Sequence, residues 1–193
     1  LPIITGARNL PTNESQPWET TQNPHVYKKQ LSSTFSNRYP AYLSRDGQII
    51  PMGRFPNFNI ENAGGLRIQN RANVVINNVT RTEITDTLNL KNPEIQWIGG
   101  EFVSMPNTWL YTKGPILEHD TTRGKMIMAL SGYAIVAGKG YFIQNHINAL
   151  DLEGEWSYDN TGMGTFYIYT QSHPNNSTFM YSHSSFGFDF GSS

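Results

Sequence analysis

Five short segments of this 193-residue chain share one pattern: two apolar residues two apart, then an Asn or Gly. They are LRIQNRANV (66–74), LNLKNPEIQ (88–96), LYTKGPILE (110–118), MALSGYAIV (128–136) and LDLEGEWSY (150–158). Their starts at 66, 88, 110, 128 and 150 are spaced by 22, 22, 18 and 22 residues. Such a period points to units that each stack on their neighbours.

The apolar pairs are Leu66/Ile68, Leu88/Leu90, Leu110/Thr112, Met128/Leu130 and Leu150/Leu152. A spacing of two puts both members on one face of a strand. The closing residues, Asn70, Asn92, Gly114, Gly132 and Gly154, are the types that enter left-handed backbone most readily. A short strand followed by such a bend predicts an all-β chain, a short right-handed parallel β-helix of about five coils. The alternative is an antiparallel β-sandwich or jelly roll, in which the spacing is coincidental.

Three stretches of different character follow. Residues 1–57 hold 7 of the 11 prolines, which excludes long helices and central strands, and predict an extended arm or cap. Its apolar residues, among them Trp18, Tyr27, Phe35 and Tyr39, are expected to pack on other subunits or on a first coil near Phe58 and Ile60. Residues 58–164 form the repeat region. Residues 165–193 alternate aromatic and polar side chains and predict a β tip.

Composition removes several function classes. A net charge of −1 with no Lys/Arg cluster gives no footprint for nucleic acid. No apolar run reaches the length of a membrane span. With no cysteine, thiolate catalysis and Cys-based zinc sites are excluded. No phosphate-loop, dinucleotide or nucleophile-elbow motif occurs, so no cofactor is expected.

The weak catalytic candidates are carboxylates. Asp151 and Glu153 stand at i and i+2, about 7 Å apart on one strand face, the sort of pair that can act as acid and base on a glycosidic bond. Glu118 sits beside His119 and Asp120, but neighbours on a strand point to opposite faces, so those three converge only in a loop. His173 and His183 are weak metal candidates, to be brought together at the tip of a threefold assembly. Trp97, Trp109, Tyr111 and Trp156, among many Asn and Gln, are the candidate sugar-binding residues, because aromatic faces stack on sugar rings.

On the Leu-x-Leu-x-Asn/Gly copies across 58–158 the chain resembles the parallel β-helix class, which includes phage tailspikes and pectate-lyase-like enzymes. The likeness implies a non-enzymatic viral or phage structural or attachment protein, found on the virion or outside the cell. It would work as a homo-oligomer, a trimer by this analogy, and bind surface carbohydrate. The alternative function is a polysaccharide-degrading β-helix enzyme using paired carboxylates. A jelly-roll capsid subunit is a third expectation.

Overall fold

A computed structural model describes residues 7–10, 17–31, 40–59, 65–107 and 110–182. Every strand pair in its three sheets is antiparallel. The chain divides into two compact units, Leu1–Met52 with Leu150–Ser193, and Gly53–Ala149.

The terminal unit is a sandwich of two four-stranded sheets. One sheet has the order β1 (Ala7–Asn9), β16 (Phe179–Ser182), β4 (Leu43–Arg45), β5 (Gln48–Ile50). The other runs β14 (Trp156–Asp159), β15 (Thr165–Tyr169), β3 (Val26–Gln30), β2 (Glu19–Thr20). Inward residues of both build one aromatic core: Trp18, Tyr27, Trp156, Tyr158, Phe166, Phe179 and Tyr181, with Leu10, Leu31, Leu43 and Ile168. The β4–β5 hairpin turns on Asp46-Gly47, both at positive φ (51° and 80°), as a two-residue loop between twisted strands requires.

The central unit is one eight-stranded sheet. Its order is β6 (Arg54–Phe55), β13 (Gly140–Gln144), β10 (Glu101–Asn107), β11 (Leu110–Asp120), β12 (Lys125–Met128), β9 (Val79–Thr85), β8 (Asn70–Ile76), with β7 (Leu66–Arg67) also on β13. Only Ile68 and Gln69 separate β7 from β8, so one stretch of chain pairs with β13 at its start and with β9 further on. The sheet therefore curls until it meets itself, which leaves fewer open edges. Its inner face buries Ile68, Ile84, Phe102, Ile116, Met126, Met128, Tyr141 and Ile143, joined by Leu90, Trp97, Ile135 and Ala149. The period-2 alternation is visible on β13, where Tyr141 and Ile143 are buried while Phe142 faces outward.

Among the described residues no parallel β-helix is present, and the antiparallel alternative describes the fold. The five copies play unrelated parts. Leu88 is 83% exposed while Leu90, two residues on, is fully buried. The segment 88–92 is a turn and loop, and 150–154 is another. Thr112 is buried because its hydroxyl donates to the Tyr133 carbonyl at 2.6 Å. Of the five closing residues only Gly132 and Gly154 have positive φ (112° and 85°) among the described residues. Gly114 is required for another reason: a Cβ there would overlap the carbonyl oxygen of Ala129. The recurring Asn/Gly thus has no single cause, and similar local chemistry served different turns and close approaches.

Trp18 and Tyr27 belong to the sandwich core, where Trp18 packs on Phe179 with ring centroids 5.1 Å apart. Phe35, Tyr39 and Ile60 lie outside the described residues.

Candidate functional site

The outward face of the curled sheet carries two grooves. The first, about 400 Å³, is floored by β10 and β13 and bordered by β6, β7 and β11. Val103 pairs directly with Phe142 across the sheet. The Arg54 guanidinium lies over the Phe142 ring at 3.9 Å and 5.7 Å from that of Phe58, while its Nε donates to the Pro56 carbonyl at 3.1 Å. A cation held on two aromatic faces is fixed in place as well as attracted. Arg67 donates from Nη1 to the Gly138 carbonyl at 3.1 Å and remains exposed. Two aromatic rings lining the groove face solvent, Phe58 at 66% and Tyr111 at 63%, beside Met105. Deep in the wall, burial first and the Asp86 carboxylate second push the Tyr141 hydroxyl far above the ordinary phenol range. It donates to Asp86 at 2.8 Å and belongs to the core.

The second groove, about 390 Å³, is polar and lies over β9, β12 and β11. Cross-strand registers align Glu83, Ile127 and Glu118 in one row, and Thr85, Lys125 and Asp120 in the next. An irregularity between Ile116 and Glu118 gives β11 an extra residue, so that Ile116 and His119 are both buried while Leu117 and Glu118 both face out. Lys125 bridges to Glu83 at 2.7 Å. Asp120 caps its own turn, accepting from Thr122 and Arg123, and these donors lead in holding its carboxyl below the usual range.

His119 is committed to structure. Its Nδ1 accepts the Trp97 N–H at 3.4 Å and its Nε2 lies 3.0 Å from the Leu90 carbonyl, which assigns the proton to Nε2. Burial, its largest influence, pushes its pKa down, favouring that neutral form. The imidazole has no nitrogen left for a substrate proton.

In the terminal unit the candidate pair Asp151/Glu153 separates. Partial burial works to raise the Glu153 pKa, but the Gln171 N–H, the Thr170 hydroxyl and Arg45 together outweigh it and hold the carboxyl below its ordinary range. Glu153 is thereby a structural clamp. The carboxylate that meets Asp151 is instead Glu155, which is buried and accepts the Asp151 and Leu152 N–H groups at 3.0 Å each. Desolvation, followed by the neighbouring Asp151 charge and hydrogen bond, raises the Glu155 pKa, though the two N–H groups oppose this. Glu155 is thus held by backbone N–H groups and Glu153 by Arg45 and Thr170, so neither carboxylate is placed to act with Asp151 across a glycosidic bond.

The aromatic candidates divide as well. Trp97 is buried and stacked on Phe55 at 5.0 Å, and Trp156 is buried with its Nε1 donating to the Ile50 carbonyl at 3.0 Å. Both are core residues. Tyr111 alone of the four stands in a groove; Trp109 lies outside the described residues, as does His183. His173 caps a turn, its Nδ1 accepting the Asn175 N–H at 3.3 Å. Among the described residues no three His, Asp or Glu side chains cluster as a metal site would require.

Sequence reasoning missed Arg54, Arg67 and Phe142. The alternation Tyr141-Phe142-Ile143 marks Phe142 as outward, but no local signal joins residues 54, 111 and 142, which meet only through strand pairing.

Comparison with known proteins adds the fold's relatives. No protein-family profile and no curated protein matches the chain. A solved structure described as a glycoside hydrolase shares the fold, with a TM-score of 0.56 and 11% identity over 91% of this chain. The chain spans only 31% of that protein's length. At this identity the similarity concerns the fold alone, and the antiparallel pairing of every strand overturns the resemblance to parallel β-helix proteins.

Proposed function

We propose that this chain is the glycan-holding part of a polysaccharide-degrading protein, and that the sugar lies in the groove of Arg54, Phe58, Arg67, Met105 and Tyr111. The observation that carries the reading is the pair of exposed rings, Phe58 and Tyr111, lining one cavity of about 400 Å³. That size is within the range of small-ligand sites, and apolar rings with a few polar groups are how such sites hold a sugar's C–H face and hydroxyls. Large apolar side chains are not left in water at a concavity without cost. The shared fold with part of a glycoside hydrolase agrees with this reading. The attachment-protein expectation has the glycan-binding step in common with it, and that step is what we carry forward.

The test is calorimetric titration with a panel of plant, algal and bacterial polysaccharides, repeated with Tyr111→Ala. Loss of the stacked ring should weaken binding by about tenfold, equivalent to roughly 1.4 kcal/mol. No binding to any glycan, or unchanged affinity in Tyr111→Ala, would remove the proposal.

A second reading, hydrolysis within this chain, is favoured by the row Glu83–Ile127–Glu118. Two strand spacings place the flanking Cα atoms about 9.6 Å apart, which accommodates the carboxyl separation of inverting glycosidases. Glu118 would then protonate the leaving oxygen, and Glu83, ion-paired to Lys125, would activate water. If so, Glu118→Gln and Glu83→Gln each abolish release of reducing sugar while glycan affinity persists. Activity surviving both changes would exclude this pair.

A further inference from the structure

The two grooves share one strand. β11 lines the first with Tyr111 and the second with Glu118, His119 and Asp120, and both lie in the unit Gly53–Ala149. Along its outer face Tyr111, Lys113, Pro115 and Leu117 are exposed, while each residue between them is buried. Strict alternation would continue by turning Glu118 inward and His119 outward. The extra residue at Leu117 reverses this, returning Glu118 to the face of Tyr111 and burying His119 against the Trp97 N–H and the Leu90 carbonyl. Those two contacts hold the shifted register, so the outward aim of Glu118 is fixed by the fold.

The stretch between the grooves also carries binding groups. Lys113 reaches Glu101 on the adjacent strand at 3.0 Å, and the other Glu101 oxygen accepts from Gln144 at 2.6 Å. A carboxylate held in this way keeps lone pairs for further donors, and an ammonium group has three protons to share. Next along the row, Leu117 and Ile98 expose apolar surface beside the second groove. From Tyr111 to Glu118 the strand rises about 20 Å, allowing for the bulge.

A ring face, a polar pair, an apolar shelf and a carboxylate row follow one another along a single strand. A linear sugar chain offers the matching succession of C–H faces and hydroxyls. Resting on the glycan reading, we propose that the two grooves are the ends of one track. A single oligosaccharide lies along the outer face of β11, with one end on Tyr111 and the other beside Glu118 and Glu83. A chain held at one end keeps its other end at high local concentration over the second groove. Affinity therefore rises once the chain is long enough to span both.

The experiment is calorimetric titration of the full chain with the disaccharide, tetrasaccharide and hexasaccharide prepared from each polysaccharide of the panel that binds. The disaccharide is shorter than the track and the hexasaccharide longer, so the hexasaccharide should bind at least about tenfold tighter. Lys113→Ala combined with Leu117→Ala changes two exposed positions that line neither groove. The double variant should lose most of the hexasaccharide's advantage while disaccharide affinity stays the same, which also shows that it is folded. Amide signals from residue 111 to residue 118 should shift with the hexasaccharide, and only those near Tyr111 with the disaccharide. Equal affinities at all three lengths would overturn the track and leave a glycan site at Tyr111. A length advantage that survives the double variant would overturn the path along β11. A blank panel, or disaccharide binding indifferent to Tyr111→Ala, would remove the glycan reading itself.

Discussion

The terminal and central units solve the same problem, burying an all-β core, with different materials. The sandwich uses rings: seven of the eleven buried residues in its core cluster are aromatic. The curled sheet relies mostly on aliphatic side chains and methionines. Their pairings differ in reach. Both units contain hairpin pairs between sequence neighbours, and the longest pairs of the central unit, β6–β13 and β7–β13, join residues about 75 to 90 positions apart. In the sandwich β3 pairs with β15, and β1 and β4 pair with β16, across the excursion of residues 53–149. The sandwich's longest loops are about twice those of the central unit, a difference of only about 0.6 kcal/mol in closure entropy. Large aromatic side chains, each burying 150–250 Å² on a typical scale, let the sandwich fill its core with few residues. The contrast teaches that antiparallel sheets with similar mixtures of hairpin and long-range pairs can be closed over either an aromatic or an aliphatic core.

The strongest way to break this comparison is to cut into each core. Trp156→Ala in the sandwich and Phe102→Ala in the curled sheet should each cost about 3–5 kcal/mol. Urea unfolding with hydrogen exchange should place the loss of protection mainly in the unit carrying the change. Equal loss in both units for both variants would show that the two cores are one cooperative body.

Next in size is a pair that separates the repeat from the fold. Leu90→Ala should cost about 2–5 kcal/mol, whereas Leu88→Ala, at an exposed turn position, should stay within about 0.5 kcal/mol. A similar cost for both in chemical denaturation would restore the notion of a shared inward face.

Smaller again are the glycines. Gly114→Ala forces β11 away from Ala129 and should cost about 1–3 kcal/mol. Gly154→Ala meets open space but strains a backbone at φ 85°, for about 1–2 kcal/mol. The two should differ in kind, since only Gly114→Ala should shift amide signals on the facing segment around Ala129.

The subtlest test is a slope. Glu155 titrates above its ordinary value in the folded sandwich, so its contribution is fully present below about pH 4.5, where both states are protonated. As pH rises through the folded pKa, the unfolded chain gains by ionising first and the sandwich loses stability. Glu155→Gln keeps an oxygen for the Asp151 and Leu152 N–H groups and should flatten that decline. A variant with the same slope as the parent between about pH 4.5 and 7 would assign the dependence elsewhere.

Much of the local structure could be read from the chain. The Asp46-Gly47 turn and the strands around residues 166 and 180 follow from turn chemistry and period-2 alternation, whereas the strands around 26 and 43 lie inside their sheets, where the proline-rich composition of 1–57 predicts only an arm without central strands. The all-β class was legible for the same reason. The partnering of those strands was not. A Leu-x-Leu pair followed by Asn or Gly has the same local meaning whether its neighbour lies 22 residues away in parallel or across a hairpin.

The site divided along the same line. Composition and alternation alone determined that this is a β protein with few charged residues and no cysteine, because each depends on a residue and its immediate neighbours. Only the tertiary structure decided that Trp97 and Trp156 are core, that His119 is spent on two backbone groups, and that Arg54, Tyr111 and Phe142 share a groove. The reason is physical. Burial and convergence are properties of strands that meet in space, and hydrogen-bonded registers between distant segments are fixed by the free energy of the whole packed sheet.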